Sequence, residues 1–369
     1  MAEYGKSELK AALTAKKGVE LRMVVGVDGF VDEIIHVVSK RENFSSYKRI
    51  DTIEEFGNRI IKAAGLSANI ELVTAQTKLG GNGPILANAL LEYGAKLTYV
   101  GALGDPIHPV FQPLAEKAEN AFAIGEPGHT DALEFSDGKL MLGKHAFLGM
   151  IRWEGFKKAL GGLDKTIELI GSADLIGMVN WTMIPHMNEI WQGIVEEVLP
   201  KLPEGKRPVA FFDLADPEKR TKEDIQAAMD LIGRYTPLTK TILGLNKKEL
   251  YEIAEVVGAP SSDLEQTTKD TYDKLGVYCL VVHPTKEACC VADGQYYHVD
   301  GPYCANPVLT TGAGDNFNAG FCLGQALGID PGNSLLLGVS TSGYYVRNAK
   351  SPTYDDVIKF VGDWQDGNI

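Results

Sequence analysis

Three kinds of feature are missing from this sequence, and each absence removes a class of protein from consideration. No apolar run approaches the length of a membrane span. The N-terminal stretch, MAEYGKSELKAALTAKKGVE, carries charges throughout and has no apolar core of the kind that a signal peptide needs. Basic residues are in deficit, because 36 Lys and Arg stand against 49 Asp and Glu for a net charge of −13. We therefore expect a cytoplasmic protein that binds neither a membrane nor a nucleic acid.

Cysteine is also scarce in this chain. The five cysteines lie at positions 279, 289, 290, 304 and 322, an odd number without a CxxC pair. This pattern predicts reduced thiols, most of them small core residues, and argues against a disulfide framework. Apolar residues, in contrast, are plentiful: they make up 44% of the 369 positions. That is enough for one large α/β domain or two smaller ones.

Short apolar runs alternate with helix-like segments along most of the chain. The runs typical of strands are LRMVVGVDGF, KLTYVGALG, ADLIGMVNW, PVAFFDLAD, KTILGLN and VYCLVVH, and helix-like segments lie between them at 84–94, 109–119, 187–199, 222–234 and 247–257. This alternation predicts an α/β fold with a mostly parallel central sheet flanked by helices. Ligands of such sheets bind outside the carboxyl ends of the strands, so we expect the chemistry there.

Two segments depart from the alternation. Residues 40–75 are long and polar, with a predicted helix at 52–64 and a predicted strand at 69–75. Residues 130–148 alternate between apolar and polar around an Asp-Gly pair, which predicts a β-hairpin. We expect these two segments to form a small β-rich lid apart from the main sheet.

The stretch NPVLTTGAGDNFNAGFCLGQALG, residues 306–328, carries the strongest functional signal. Its small residues Gly312, Ala313 and Gly314 permit a tight turn and a close approach of a ligand to the backbone. The apolar run after Asp315 predicts a buried helix, whose start leaves N–H groups unpaired and carries a partial positive charge. The stretch therefore predicts an anion site with a built-in carboxylate, a combination that suits removal of a proton.

Three stretches together resemble the PfkB/ribokinase family of carbohydrate and nucleoside kinases. They are GVDGFVDEI (26–34), KLGGNGPILANALLEYGAKLTYVGALGD (78–105) and TTGAGDNFNAGF (310–321). The resemblance runs from about residue 21 to 362, and its Gly-Ala-Gly-Asp segment is the most specific part. It implies a ribokinase-like α/β fold.

The resemblance also implies a domain organisation. An N-terminal extension, 1–20, with a predicted helix would precede a single kinase domain, 21–369, whose lid segments lie at about 36–78 and 128–150. Because relatives dimerise through lid strands, a homodimer of this kind is one expectation for the chain.

The resemblance assigns a role to each residue of the Gly-Ala-Gly-Asp segment. Asp315 would take the proton from the substrate hydroxyl, and the N–H groups of Gly312, Ala313 and Gly314 would hold the migrating γ-phosphoryl group. Phosphoryl transfer needs mainly positioning, charge neutralisation and an oriented nucleophile, which such a segment can supply. For the segment taken alone, the alternative is an Asp that only caps a helix after a glycine turn.

An acceptor pocket is implied as well. In the family, an acidic residue at the end of the first strand bonds substrate hydroxyls; Asp32 fits that position best and Asp28 is the second candidate. Gly80 and Gly81 would bring backbone close to the sugar, with Asn82 as a further contact. The alternative is that these are loop residues that only shape or cap turns.

The candidates for nucleotide and metal binding lie further along the chain. Asn246 and Glu249, in LNKKELYEIA, resemble the N-x-x-E segment that helps to hold Mg²⁺ near the nucleotide phosphates, and Asn246 is also a nucleotide candidate. A helix N-cap with an acidic first turn would have the same residues. His283 and Thr285, in VVHPTKEA, follow a strand and are candidates for nucleotide binding. Thr311, beside the anion site, is a further nucleotide candidate. A lone His is more often structural.

Two positions depart from the family pattern. Leu309 stands where relatives commonly have an acidic residue that helps to hold a monovalent cation, which argues against activation by such an ion. Ile85 stands where ribokinase-like members carry an Asn, which argues against ribose as the acceptor.

The predicted function is ATP-dependent, Mg²⁺-assisted phosphorylation of a hydroxyl on a small sugar or sugar-like molecule. The alternatives are a nucleoside kinase of the same fold and a non-catalytic sugar- or nucleotide-binding protein.

Overall fold

The computed structural model describes residues 4–369, which contain fourteen strands and thirteen α-helices. The strands are β1 (Arg22–Val27), β2 (Phe30–Arg41), β3 (Tyr47–Arg49), β4 (Leu72–Gly80), β5 (Lys96–Gly101), β6 (Asn120–Ala123), β7 (Gly128–Phe135), β8 (Gly138–Lys144), β9 (Leu175–Val179), β10 (Val209–Asp213), β11 (Lys240–Leu245), β12 (Cys279–Val282), β13 (Glu287–Ala292) and β14 (Gln295–Asp300). The helices are α1 (Lys6–Lys16), α2 (Ile53–Ile61), α3 (Asn82–Glu92), α4 (Gln112–Lys117), α5 (Trp153–Ala159), α6 (Leu163–Ser172), α7 (Met187–Gly193), α8 (Lys222–Gly233), α9 (Lys247–Val257), α10 (Leu264–Leu275), α11 (Ala313–Ala326), α12 (Pro331–Asn348) and α13 (Tyr354–Gln365).

Nine strands form one large sheet in the order β14-β13-β12-β11-β10-β9-β1-β5-β6. The seven strands from β12 to β6 in that order run parallel to their neighbours, and only β13 and β14 run antiparallel. The predicted mostly parallel sheet flanked by helices is therefore confirmed. It places the carboxyl ends of β1, β9, β10, β11 and β12 side by side along one edge.

Both faces of the large sheet are buried, which explains the continuous apolar runs in the sequence. Val24 and Phe212 point into the core on one face, while Val25 and Phe211 point into the core on the other. The extra helix predicted near the N-terminus is α1, which packs against α13 through Leu9. Within the described residues, no helix combines the length and the apolar character that crossing a bilayer requires.

Helices α11 and α12 lie unusually close together, and this contact sets the position of the helix that begins at the anion site. A Cβ atom at Gly320 would clash with the hydroxyl of Thr341, and one at Gly324 would come within 2.6 Å of the Ser334 hydroxyl. The absence of side chains at these two glycines therefore lets the backbones approach. Helix α11 is thereby held rigidly against the sheet and α12.

The lid is a separate five-stranded sheet in which β2 pairs with β3, β4 and β7, and β7 pairs with β8. One face has its own apolar core, in which Phe56 of α2 packs against Ile35, Leu133 and Phe135. The opposite face looks toward the large sheet and bears the functional candidates. Strand β8 lies at the edge of the lid sheet, and a homodimer through lid strands stays a prediction.

The prediction that Asp32 lies at the end of the first strand is wrong, whereas Asp28 does follow that strand directly. Strand β1 ends at Val27, and Asp32 lies on β2 in the lid sheet. The two strands are separated at Gly29, which lies against the backbone of Ala102. A Cβ atom at this position would clash with the carbonyl oxygen of Ala102. The lid sheet accordingly begins at Phe30, before the predicted boundary near 36, and its strand β4 extends to Gly80.

Candidate active site

The Gly-Ala-Gly-Asp segment forms the start of α11, as its sequence predicts. Gly312 is the N-cap and has a φ of 88°, a left-handed conformation that glycine adopts at little cost. The N–H of Ala313 donates to the carbonyl oxygen of Thr310 at 3.1 Å. In residues 4–369 the N–H groups of Gly312 and Gly314 have no acceptor. Two of the three predicted anion-hole donors are therefore unpaired, and the third already has a backbone partner.

Asp315 lies in the first turn of α11 and is about nine-tenths buried. Burial raises the pKa of its carboxyl group to about 7, and the negative charges of Asp28 and Glu249 add to this effect. The side chain of Asn82, a hydrogen-bond partner of the Asp315 carboxyl group, opposes it. A carboxylate with a pKa near neutral pH is a stronger base than an exposed one and is suited to accept a proton from a hydroxyl.

Asp28 follows β1 directly and is completely buried. Its carboxylate accepts hydrogen bonds from the N–H of Gly83 at 2.9 Å and from the side-chain amide of Asn180 at 2.6 Å. Its carbonyl oxygen accepts a bond from the Tyr99 hydroxyl at 2.7 Å. Burial raises the pKa of Asp28 to about 6. The structure thus places Asp28 beneath the start of α3, and its predicted contact with substrate stays a prediction.

Asp32 projects from β2 toward the body of the protein. It pairs across the sheet with Lys78 of β4 and Thr130 of β7, and the side chain of Thr130 is a hydrogen-bond partner of its carboxylate. Burial raises the pKa of Asp32 even though Lys139 and Lys78 lower it. A Cβ atom at Gly80 would clash with the Asp32 carboxylate, so this glycine permits the carboxylate to lie against the β4 backbone.

A cavity of about 410 Å³ opens between the lid and the carboxyl ends of β9 and β10. It brings together Asp32, Gly81, Asn82 and Asn180, and this volume lies in the range of small-molecule sites, about 300–1,000 Å³. A second cavity of about 520 Å³ continues under the lid and shares Asp32 with the first. Three of the five predicted acceptor residues, Asp32, Gly81 and Asn82, therefore line one pocket, whereas Asp28 and Gly80 are not part of its lining. Asn82 also borders Asp315.

Two residues of this region were not predicted from the sequence. Asn180 has a φ of 64° and lines the 410 Å³ cavity, and its buried Oδ1 atom has no hydrogen-bond partner within residues 4–369. Asp213 is also buried and accepts a bond from the Asn318 amide at 2.9 Å, while its Oδ1 atom has no partner among the described residues. Both stand at the end of an apolar strand, in VNW and FFDL. That position is the signal by which they could have been found.

Asn246 and Glu249 form a capping box at the start of α9. The Asn246 side chain accepts from the N–H of Glu249 at 3.0 Å, and the Glu249 carboxylate accepts from the N–H of Asn246 at 2.8 Å. The other Glu249 oxygen accepts from the N–H of Asp216 at 2.9 Å. This is the helix N-cap with an acidic first turn that the sequence also predicts, as the alternative to a metal site. It does not exclude a metal role, because each oxygen retains a further lone pair, and that role stays a prediction.

Three acidic side chains lie close together near the ends of β10 and β11: Asp213, Glu249 and Asp315. Burial raises the pKa of Asp213 well above its ordinary value, and the charges of Glu249 and Asp315 raise it further. No group of three or more His, Cys, Asp or Glu side chains in residues 4–369 is arranged to hold a metal ion by itself. Mg²⁺ does not need such a group, because it usually keeps several waters and binds few protein carboxylates.

His283 lies directly behind the anion-hole turn. Its ring packs on Phe317 with centroids 4.9 Å apart, and a Cβ atom at Gly314 would come within 3.2 Å of it. Burial lowers the pKa of His283 to about 4, so the ring is neutral at pH 7. In the part of the chain that the structure describes, its Nε2 atom has no partner. Thr285 and Thr311 are exposed. Contact of these three residues with a nucleotide stays a prediction.

Comparisons with known proteins identify the family. A sequence profile described as prokaryotic ketohexokinase matches residues 8–364. A ketohexokinase from Haloferax volcanii is 31% identical over 349 residues, which cover 94% of this chain and 92% of that protein.

Solved structures of low sequence identity share the fold. Ribokinase from Arabidopsis thaliana, complexed with ribose and ATP, has a TM-score of 0.62 at 18% identity and covers 92% of this chain and 98% of its own. A mutant of phosphofructokinase-2 from Escherichia coli has a TM-score of 0.65 at 13% identity, over 94% and 99% of the two chains. The ribokinase-like fold and the resemblance to the PfkB/ribokinase family are thereby confirmed. The chain belongs to the prokaryotic ketohexokinase family and is a sugar kinase.

Proposed function

We propose that this protein transfers the γ-phosphoryl group of ATP to a hydroxyl of a ketohexose, with Asp315 as the base. The observation that carries the proposal is the placement of one buried carboxylate in the first turn of α11, behind Asn82 and beside the pocket that contains Asp32. A proton acceptor, unpaired N–H donors and a polyhydroxyl-sized pocket thereby meet at one edge of the sheet. These are the components that phosphoryl transfer requires.

The acceptor is oriented by polar groups of the pocket. The Asp32 carboxylate can accept hydrogen bonds from two neighbouring hydroxyls. Asn180 also lines the cavity, and its Oδ1 atom, which accepts no bond from any described residue, is a further acceptor on the β9 side. Asn82 can bond a substrate oxygen while it faces Asp315. Ile85, which contacts the region of Gly312, offers no hydrogen bond. The pocket therefore presents acceptors for hydroxyl groups on its lid side and its β9 side.

The transfer step follows from this placement. Asp315 removes the proton of the acceptor hydroxyl while the oxygen of that hydroxyl forms a bond to the γ-phosphorus of ATP. The bond between that phosphorus and the β–γ bridging oxygen breaks, and ADP leaves with the bond's electron pair. The N–H groups of Gly312 and Gly314 lie at the start of α11, where they would stabilise the negative charge of the migrating phosphoryl group. Closure of the lid would exclude water, which competes with the sugar for the phosphoryl group.

The residues present fit a divalent cation near the phosphates. Asp213 has a carboxylate oxygen that is buried and lacks a partner in the described chain, and the nearby charges of Glu249 and Asp315 disfavour its ionisation. Mg²⁺ held through water by Asp213, Glu249 and Asn246 would neutralise this cluster and the phosphate charge. His283, Thr285 and Thr311 are the proposed contacts on the nucleotide side.

The choice of a ketohexose rests on the ketohexokinase relative from Haloferax volcanii. The experiment measures ADP release from MgATP with fructose, other hexoses, pentoses, sugar phosphates and nucleosides. We expect fructose to stimulate turnover most. Asp315→Asn should lower kcat by about 10²–10⁴-fold, the usual contribution of a general base.

The matched control is Asp363→Asn, which changes a carboxylate on the exposed side of α13 that pairs with Lys359. It should turn over as the wild type does. A nucleoside or pentose as the best acceptor would replace the ketohexose assignment. Full turnover by Asp315→Asn would refute the role of Asp315 as the base, whatever the acceptor.

A further inference from the structure

The anion-hole loop, residues 310–314, is held from behind by side chains of α11 and α12. The hydroxyl of Tyr345 donates to the carbonyl oxygen of Thr311 at 2.8 Å. Asn316 donates to the carbonyl oxygen of Gly312 twice, from its backbone N–H at 3.0 Å and from its side-chain amide at 2.9 Å. Both carbonyl groups that flank the N–H of Gly312 are therefore fixed by named donors.

Peptide planarity links these carbonyl contacts to the N–H groups of the loop. The carbonyl of Thr311 and the N–H of Gly312 belong to one planar trans peptide unit and point in opposite directions. A hydrogen bond that fixes the Thr311 oxygen therefore also fixes the direction of the Gly312 N–H. The same relation joins the Gly312 oxygen, held by Asn316, to the N–H of Ala313.

Gly312 needs such support more than an ordinary residue does. It adopts a φ of 88°, and glycine loses more conformational freedom on ordering than any other residue. The hydroxyl of Tyr345 lies close enough that a Cβ atom at Gly312 would be 2.9 Å from it. The absence of a side chain at this position thus lets the hydroxyl reach the loop.

The donors are themselves held in place. Asn316 is completely buried, and its Oδ1 atom accepts a hydrogen bond from the Ser351 hydroxyl at 2.7 Å. Burial raises the pKa of Tyr345 to about 12, so its hydroxyl remains protonated and can donate throughout the neutral range. The carbonyl of Val346, the next residue on α12, accepts from the N–H of Val308 at 2.7 Å. The end of α12 therefore holds the chain at two points, at Val308 just before the loop and at Thr311 within it.

We propose that Tyr345 is a positioning residue for phosphoryl transfer, because it orients the unpaired N–H of Gly312 through the carbonyl oxygen of Thr311, and that Asn316 supports it by holding the next peptide unit through the carbonyl oxygen of Gly312. The inference rests on the proposed function and adds to it two residues that lie outside the glycine motif. Fixed donors stabilise the migrating charge without reorganisation during the reaction, so loosening the loop should slow the chemical step. Binding of the sugar, which lies against Asp32 and Asn180, should change little.

The test is Tyr345→Phe, which removes only the hydroxyl. We expect kcat to fall by about 10–100-fold, as small misplacements of catalytic groups do, with an unchanged KM for the acceptor. Ser351→Ala, which releases the Asn316 side chain, should give a smaller fall of the same kind. The control is Tyr344→Phe, the neighbouring tyrosine, whose ring packs against Phe360. It should keep wild-type kcat.

A second measurement does not depend on turnover. Hydrogen exchange followed by mass spectrometry should show faster amide exchange in a peptide covering 310–314 for Tyr345→Phe, with exchange elsewhere as in the wild type. Wild-type kcat and wild-type exchange in Tyr345→Phe would overturn the inference. If the wild type itself shows no sugar phosphorylation, the proposed function fails, while the exchange result still decides whether Tyr345 orders the loop.

Discussion

The side-chain amide of Asn180 donates a 2.6 Å hydrogen bond to the carboxylate of Asp28, and both side chains are buried at the carboxyl ends of adjacent parallel strands. The other polar atom of this amide, Oδ1, has no partner from residue 4 to residue 369, and Asn180 lines the acceptor cavity. Asp28 is thus placed to hold Asn180 and the start of α3 while its charge acts on Asp315. Asp32, in contrast, reaches the cavity itself.

The first prediction concerns the pH dependence of the reaction. Because Asp315 must be unprotonated to act as a base and its pKa is raised to about 7, kcat/KM should rise with pH across the neutral range. Asp28, Glu249 and Asp213 are the charged groups that face it. Asp28→Asn removes one negative charge, lowers the pKa of Asp315, and should move the acidic limb to lower pH. A pH–rate profile of both proteins checks this, and an unmoved limb would contradict the coupling.

The second prediction concerns stability. The raised pKa of Asp315 means that the folded protein binds more protons than the unfolded chain between about pH 4 and pH 7. The free energy of unfolding should therefore fall as pH rises through this window. Asp315→Asn removes the ionising group and should raise Tm at pH 8, on the order of 2 °C, with little change at pH 4. Thermal unfolding at both pH values tests the sign, and an equal shift at both would show a cause other than ionisation.

The third prediction separates acceptor binding from chemistry. Asp32→Asn should raise KM for the sugar about 10-fold, since a hydrogen bond to a charged group contributes about 1.5–3 kcal/mol, while KM for ATP stays as it is. Glu33→Gln is the matched control because its side chain alternates to the other face of β2. Equal effects of the two substitutions would show that the loss arises from damage to the lid sheet.

The fourth prediction uses the contact between β4 and Asp32. Gly80→Ala should displace the Asp32 carboxylate, because a Cβ atom there clashes with it, and should raise KM for the sugar as strongly as Asp32→Asn does. Gly57→Ala, in α2 with open space around its Cα, is the control and should leave the kinetics unchanged. Steady-state kinetics of both variants provide the measurement. A normal KM in Gly80→Ala would remove Asp32 from the acceptor pocket.

The fifth prediction concerns monovalent cations. The carbonyl oxygens of Thr311 and Gly312 already accept hydrogen bonds from Tyr345 and Asn316, and Leu309 supplies no charge near them. Turnover should therefore be equal in potassium, sodium and tetramethylammonium salts at constant ionic strength. Activation by potassium alone would show that the protein contacts do not suffice to hold the loop.

Much of the site was visible in the sequence where its residues are neighbours along the chain. The turn at Gly312 and the helix start at Asp315 follow from local chemistry, since small residues permit the turn and an apolar run continues as a buried helix. The apolar runs likewise predicted strands of a parallel sheet, because burial on both faces leaves a continuous apolar pattern. These properties depend on contacts within a few residues, so no knowledge of the folded chain was needed.

The tertiary structure decided what those residues meet. Asp28 and Asp32 are four positions apart, yet one is buried under α3 and the other lies on the lid, because the chain changes sheets between them. Asn180, Asp213 and Tyr345 reach the site from distant parts of the sequence, and no local pattern relates them to Asp315. Their roles arise from packing at the shared edge of a parallel sheet, where long-range contacts determine which side chains are buried, paired or left without a partner.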